Sequence, residues 1–270
     1  MDKIDPQKIV EIRKIQKWQK QNVPETAIAK GFKKYKNYFV PEKIVKNSVR
    51  VLSFGVGADV KFEKLMCKDN QNLQVKLFDP TPMTTKYIGK IIQNSSAKTV
   101  GSFWNMKIAR KCFKYKPIAY APVNGTQQFY YPKETVQNDQ GQIQEVGALN
   151  SKKSFSLFNN HIKKGHVNSV QVKCQNLQSI MEEIGWNDVD IIKTDIEGMW
   201  WDFGHEFLDK NIKFKYWVTE IEFKLGYSDD EILLKMESLC KRFKDRGYKV
   251  YVNRKRGKPM SELIFLLPHI

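Results

Sequence analysis

Short β-rich runs, each ending in glycine or an acid and each separated from the next by helical texture, constrain this chain more than any other feature. Residues 49–54 stop at Gly55-Val56-Gly57. Residues 74–78 stop at Asp79 and Pro80, and residues 189–194 stop at Asp195-Ile196-Glu197-Gly198. Residues 216–223 form a further run that carries Glu220 and Glu222. Residues 58–67, 84–92, 177–184 and 229–246 read as helices, and residues 117–121 as the third strand. Strand alternating with helix predicts βαβ units on a parallel sheet. The last two runs, 248–252 and 262–267, are joined by residues 253–261, too few for a helical crossover, so they are expected to pair as an antiparallel hairpin.

This pattern is expected to occupy residues 47–270 as one domain, with an insertion over about 123–172 where the alternation lapses. A long insertion on a regular scaffold is where specificity often sits. Residues 1–46 read as a basic helical extension. Asp5-Pro6 signals a helix start, and Ile9, Ile12, Ile15 and Trp18 recur along one face. Pro24 and Glu25 are expected to open a second helix running toward Tyr38. Through Arg50 there are 13 Lys and Arg against 5 Asp and Glu, close to half of the whole chain's excess of +17.

In an open parallel sheet, ligands bind beyond the carboxyl ends of the strands. At the first such end, Gly55 and Gly57 allow a tight turn, with Ser53 before them and Asp59 after, opening the next helix. The third glycine of a dinucleotide fingerprint is absent, since Val60 holds its position. Asp79, followed by Pro80, lies 24 residues after Gly55 at the second strand end, where an acid can accept the hydroxyls of an adenosine ribose. Together these indicate an adenosine cofactor and leave NAD and S-adenosylmethionine both open. At the third end, Asp195 and Glu197 close an almost wholly apolar strand. They serve either as helix-opening acids or as charges beside a reacting centre.

Other classes are excluded by composition. No run reaches the roughly 18 apolar residues of a membrane span. The charged N-terminus has no apolar signal core, so a cytoplasmic location is expected. Cys67, Cys112, Cys174 and Cys240 are scattered, and His161 and His166 are off zinc-ligand spacing, so no metal site is expected. A pI near 9.5 suits anionic partners, nucleic acid among them, and equally a solvated lysine-rich face.

The three strand ends, in order, resemble the FkbM family of S-adenosylmethionine-dependent methyltransferases. SFGVGADVKFE (53–63) is similar to its first cofactor motif, VKLFDPTP (75–82) to its second-strand motif, and VDIIKTDIEGMWWDF (189–203) to its Lys-x-Asp-x-Glu-Gly signature. LQSIMEEIG (177–185) resembles the helix before that signature, and FYYP (129–132) part of the insertion. The likeness runs from about residue 50 to 223. It implies a class I, Rossmann-like α/β fold: a mostly parallel seven-stranded sheet with an antiparallel C-terminal hairpin, helices on both faces and a helical N-terminal extension. It also implies S-adenosylmethionine as methyl donor and, as acceptor, a hydroxyl on a sugar, glycan or small metabolite. Carried over by position, Gly55 and Gly57 would line the methionine moiety, Asp79 the ribose, and Asp195 the reacting centre. Met199-Trp200-Trp201 and Glu220-Ile221-Glu222 depart from the family pattern, the second by lacking a histidine.

Methyl transfer needs nucleophile, carbon and sulfur held in line, and a hydroxyl nucleophile gains from a positioned base. Asp195, Glu220, Glu222 and His205 are the candidates. Strand alternation puts Glu220 and Glu222 on one face. Trp200 and Trp201 either stack on the acceptor or pack in the core. A ribose 2′-O-methyltransferase acting on RNA remains as the alternative the charge favours.

Overall fold

The computed structural model describes residues 6–24, 30–57, 59–93, 111–132, 134–137, 143–146, 167–222, 228–254 and 260–268. The chain opens with α1 (Pro6–Asn22), the strands β1 (Phe32–Tyr35) and β2 (Tyr38–Pro41), and the short α2 (Glu42–Asn47). Then follow β3 (Arg50–Phe54), α3 (Lys61–Asp69), β4 (Gln74–Phe78), α4 (Pro82–Gln93) and β5 (Phe113–Lys116). The insertion carries β6 (Ala119–Tyr120), β7 (Gly125–Pro132), β8 (Glu134–Gln137), β9 (Ile143–Val146) and β10 (Val167–Gln175). The alternation resumes with α5 (Leu177–Ile184), β11 (Asp188–Thr194), α6 (Trp200–Asp209), β12 (Lys213–Glu222), α7 (Asp229–Asp245), β13 (Lys249–Arg254) and β14 (Met260–Leu266).

Seven strands form the central sheet in the order β13-β14-β12-β11-β3-β4-β5. The pairs among β5, β4, β3, β11 and β12 are parallel, and β14 runs antiparallel to both of its neighbours. The expected mixed sheet and C-terminal hairpin are therefore present. β11 lies at its centre, and Val189, Ile191 and Ile192 are buried on both of its faces, as a parallel strand covered on two sides requires. Leu52, Phe54, Ile192, Trp217 and Phe265 cluster with residues of α1, α5, α6 and α7. Val51, Val75, Leu77, Ile191, Val218 and Ile264 cluster with residues of β1, β2, α2 and α3.

Two expectations are corrected. The second helix does not run to Tyr38: among the described residues β1 and β2 instead form an antiparallel hairpin with Tyr35 opposite Tyr38. Its turn places Lys36 at φ 58, a left-handed conformation that costs a lysine about 1–2 kcal/mol. Tyr35, Tyr38 and Val40 are buried, and that burial outweighs local helical preference. Second, the third sheet strand is β5, not 117–121. Phe113 is buried and Tyr115 half-buried, Lys114 is exposed, and the strand closes the sheet's edge beside β4. Ala119 and Tyr120 pair instead with the end of β10. Within the insertion, residues 127–131, which read as a strand, lie in β7, and β7 and β10 pair antiparallel along Gly125–Pro132. The sequence also reads a turn at 138–141 and loops at 147–151 and 159–161, and all three lie outside the described residues.

The extension packs against the domain. Ile15 is buried in the cluster that holds Met236, Lys14 pairs with Asp230, and the Val252 amide donates to the Pro24 carbonyl at 2.9 Å. Ile9 and Ile12 carry side chains outside the described set. Among the described residues no helix is long and apolar enough to cross a membrane.

The α6–α7 seam is tight at Gly204. A Cβ there would lie 2.8 Å from Leu239 Cδ1 and 2.8 Å from the Trp217 ring. Gly204→Ala is expected to destabilise the protein by about 1–3 kcal/mol through overpacking. A denaturant titration measures this, and an unchanged midpoint would show that the seam relaxes freely.

Candidate active site

The glycine turn sits at the carboxyl end of β3, stitched to both neighbouring strands. The Gly55 amide donates to the Phe78 carbonyl at 3.0 Å, and the Asp195 amide donates to the Phe54 carbonyl at 3.2 Å. Gly55 and Gly57 have φ of 65 and 60. A Cβ on Gly55 would lie 1.8 Å from the Asp195 carbonyl oxygen, so no side chain fits there. A Cβ on Gly57 would meet nothing within 4 Å, which leaves open space beside the loop.

Asp79 joins this turn from the end of β4. Its carboxylate is buried, accepts from the Gly57 amide at 2.8 Å, and accepts from the Thr81 amide and hydroxyl at 2.8 and 2.6 Å. Gly57 and Asp79, 22 residues apart, are thus brought into direct contact. Pro80 follows, half-buried. Ser53 lies beneath the turn, and its hydroxyl donates to Glu63 Oε1 at 2.5 Å. Asp59 is exposed, accepts from the Lys61 amide at 2.8 Å and pairs with Lys36 at 2.6 Å. Partial burial works to raise its pKa, and the Lys36 and amide contacts overcome that and hold it below the ordinary value.

Asp195 stands at the end of β11 with its side chain about one-third exposed. Beside it is Lys193, a residue the strand-end motif contains but whose role the sequence does not disclose. Its ammonium is buried, donates to the Gly55 carbonyl at 2.8 Å and to the Phe54 carbonyl at 3.4 Å, and lies 3.5 Å from Asp195 Oδ2. The signal available in the sequence was a lone lysine inside an apolar strand, which a protein buries only with partners. Tyr38, from the hairpin, brings its hydroxyl 3.5 Å from the same Oδ2. No sequence pattern points to it.

Carboxylates crowd this end of the sheet. Glu220 is buried on β12 opposite Glu262 of β14, itself buried and accepting from Asn253 Nδ2 at 2.7 Å. Glu222 pairs in register with Met260, and its side chain lies outside the described ones. Glu63 Oε2 is buried without a hydrogen-bond partner among the described residues. Burial pushes the Glu63 carboxyl up, against the pull of Lys193 and Ser53. Burial first, then the charges of Asp195, Glu262, Glu220 and Glu63, hold the Tyr38 phenol well above its ordinary value, so it stays protonated and donates.

His205 is not brought to this cluster. It lies on α6 with Nδ1 against Arg242 of α7, its ring 4.0 Å from that of Trp201. Trp200 is buried and Trp201 half-buried, and the two pack edge to face.

A sheet of this order, with a glycine turn, a second-strand acid and a third acid in contact, defines a class I methyltransferase with S-adenosylmethionine as its cofactor. The more particular assignment follows from comparison. The family model described as "Methyltransferase FkbM domain" matches residues 21–250, and the chain belongs to that family. The match begins ahead of residue 50 and takes in the β1–β2 hairpin. No curated protein matches the chain.

Among solved structures, the chain is similar to the METTL16 MTase domain, with 11% identity and a TM-score of 0.43 over 84% of this chain. It spans 65% of that structure's length. It is also similar to a Methanococcus jannaschii fibrillarin pre-rRNA processing protein, at 10% identity and a TM-score of 0.42 over 89% of this chain and 86% of that one. A third is the N-terminal domain of human METTL16 in complex with SAH, at 11% identity and a TM-score of 0.40 over 96% of this chain and 82% of that one.

The residues present fit the cofactor. The Gly55–Gly57 turn has a bare backbone and open space beside it, and Asp79 stands against it with a buried carboxylate. The cluster of acids suits a cationic sulfonium.

Gly55→Ala is expected to abolish S-adenosylhomocysteine binding and to cost more than about 2 kcal/mol of stability, since backbone must move. Gly57→Ala, facing open space, should cost only about 1 kcal/mol for its left-handed conformation. Calorimetry and melting on both variants check this, and equal losses would refute the geometry. Burial, reinforced by Arg242, holds the His205 imidazole below its ordinary 6.5, so the fold favours the neutral ring. Its contribution is present above pH 6.5 and is lost as pH falls through the lowered folded value. The melting temperature should therefore drop between pH 7 and pH 5 more steeply in wild type than in His205→Gln.

Proposed function

We propose that this protein methylates a hydroxyl group of a sugar, glycan or other small metabolite, with Asp195 as the proton acceptor. The observation that carries the reading is the placement of the Asp195 carboxylate. It is partly exposed at the end of β11, on a residue whose backbone abuts the glycine turn, with one oxygen approached by Lys193 and Tyr38. A hydroxyl loses its proton as its oxygen attacks, and a carboxylate in reach accepts it. Amino-group methylation commonly uses an Asn/Asp-Pro-Pro-aromatic segment at this strand end, where this chain has Asp195-Ile196-Glu197-Gly198.

The cofactor supplies a methyl group already activated on a sulfonium. What remains for the chain is to bind, orient and deprotonate. Gly55 and Gly57 would line the methionine part and Asp79 would accept the ribose hydroxyls. Glu220, with Glu222 next on the same strand face, would add negative charge beside the acceptor site. The net charge of +17 favours a second reading, an RNA ribose as acceptor, served by the same residues.

Labelled S-adenosylmethionine offered with nucleotide sugars, glycans and short RNAs tests both. Label is expected on a sugar hydroxyl, and Asp195→Asn should transfer at least about 100-fold more slowly while binding S-adenosylhomocysteine within a few-fold of wild type. Undiminished transfer by Asp195→Asn would remove Asp195 from the chemistry. Label on RNA alone, falling steeply with added salt, would select the second reading.

A further inference from the structure

Two donors from separate parts of the chain converge on one atom. The Tyr38 hydroxyl and the Lys193 ammonium each lie 3.5 Å from Asp195 Oδ2, whereas Oδ1 has no hydrogen-bond partner among the described residues. Lys193 is held at the same time by the Gly55 carbonyl, so one side chain links the glycine turn and the acid. Tyr38 comes from β2, at the start of the hairpin's second strand, and its ring lies edge-on to Phe62 at 5.0 Å and 5.8 Å from the Lys193 ammonium.

The hairpin that carries Tyr38 is strapped to the sheet on several sides. The Tyr216 hydroxyl donates to the Phe39 carbonyl at 2.6 Å, and Asn253 Nδ2 donates to the Asn37 carbonyl at 3.3 Å. Lys36 pairs with Asp59 across the mouth of the glycine turn, and the Tyr35 hydroxyl donates to Asp69 at 2.7 Å. The Tyr38 hydroxyl places a donor among Asp195, Glu220, Glu262 and Glu63, and it cannot share negative charge with them.

We propose that Tyr38 is a positioning residue for methyl transfer: with Lys193 it holds Oδ2 of Asp195, so that the free Oδ1 faces the reacting centre. The N-terminal hairpin is thereby part of the active site. This rests on Asp195 standing at the reacting centre, as the proposed function has it.

Sinefungin tests it without an acceptor, because it carries an amine where the cofactor carries its methyl-bearing sulfonium. S-adenosylhomocysteine carries neither and serves as the reference. Calorimetry on wild type should show a preference for sinefungin, from its ammonium meeting Asp195, and Asp195→Asn should remove that preference. Tyr38→Phe should reduce the preference about three- to tenfold, the scale of one hydrogen bond to a charged group, with S-adenosylhomocysteine affinity within about twofold of wild type. A preference lost in Asp195→Asn but intact in Tyr38→Phe overturns the role of Tyr38 and leaves Asp195 in place. A preference intact in Asp195→Asn overturns the reading of Asp195 and the positioning proposal with it. Tyr38→Phe that fails to fold, or binds neither ligand, assigns the hydroxyl to folding and likewise overturns the proposal.

Discussion

Between Gly55 and the carbonyl of Asp195 there is no room for a methyl group, and the site depends on that closeness. It brings the turn after β3 against the end of β11, so the loop that would hold the cofactor and the acid that would meet the acceptor share one contact surface. Lys193 reinforces the junction from below by donating to the Gly55 carbonyl. Asp79 reinforces it from the other side by accepting from the Gly57 amide. Backbone geometry, a buried cation and a buried anion therefore fix one loop from three directions.

The electrostatics of this end of the sheet oppose those of the whole molecule. The chain carries a net +17, yet Asp195, Glu220, Glu262 and Glu63 gather around Tyr38 with Lys193 as the cation in contact. Buried carboxylates are costly unless hydrogen-bonded or neutralised. Ser53 answers Glu63, Asn253 answers Glu262, and Lys193 answers Asp195. The negative charge in excess of Lys193 favours a positively charged guest, while the basic exterior favours anionic partners. Charge patterning thus sets a negative pocket, which suits a cationic cofactor, apart from the basic balance of the whole chain.

The hairpin of β1 and β2 packs onto the end of the sheet that carries the glycine turn and Asp195. Residues 1–46 read in sequence as an extension apart from the sheet. In the fold, Tyr38 reaches Asp195, Lys36 reaches Asp59, and Tyr216 of the sheet reaches back to Phe39. Asp59, expected at the cofactor, is accordingly engaged with the hairpin. His205, weighed as a base for its chemistry, is engaged with Arg242 of α7.

Strand periodicity and strand-end chemistry were enough to locate β3, β4, β11, β12 and the closing hairpin, and to single out Gly55, Gly57, Asp79 and Asp195, which the fold brings together at the strand ends. These features are local: alternation, a glycine where φ is positive, an acid where a strand stops. β5 was missed because Phe113-Lys114-Tyr115-Lys116 reads as weaker than the apolar run after it, and pairing with β4 decided between them. Tyr38, Glu63 and Glu262 carried no sequence signal and Lys193 only its place in a strand-end motif, because what gathers them is packing around the end of the sheet. Local sequence determined most of the segments that become strands of the central sheet and what chemistry their ends carry. Only tertiary packing decided which distant side chains share a buried space, because burial sets the cost of a lone charge and the partner that answers it is chosen by three-dimensional proximity.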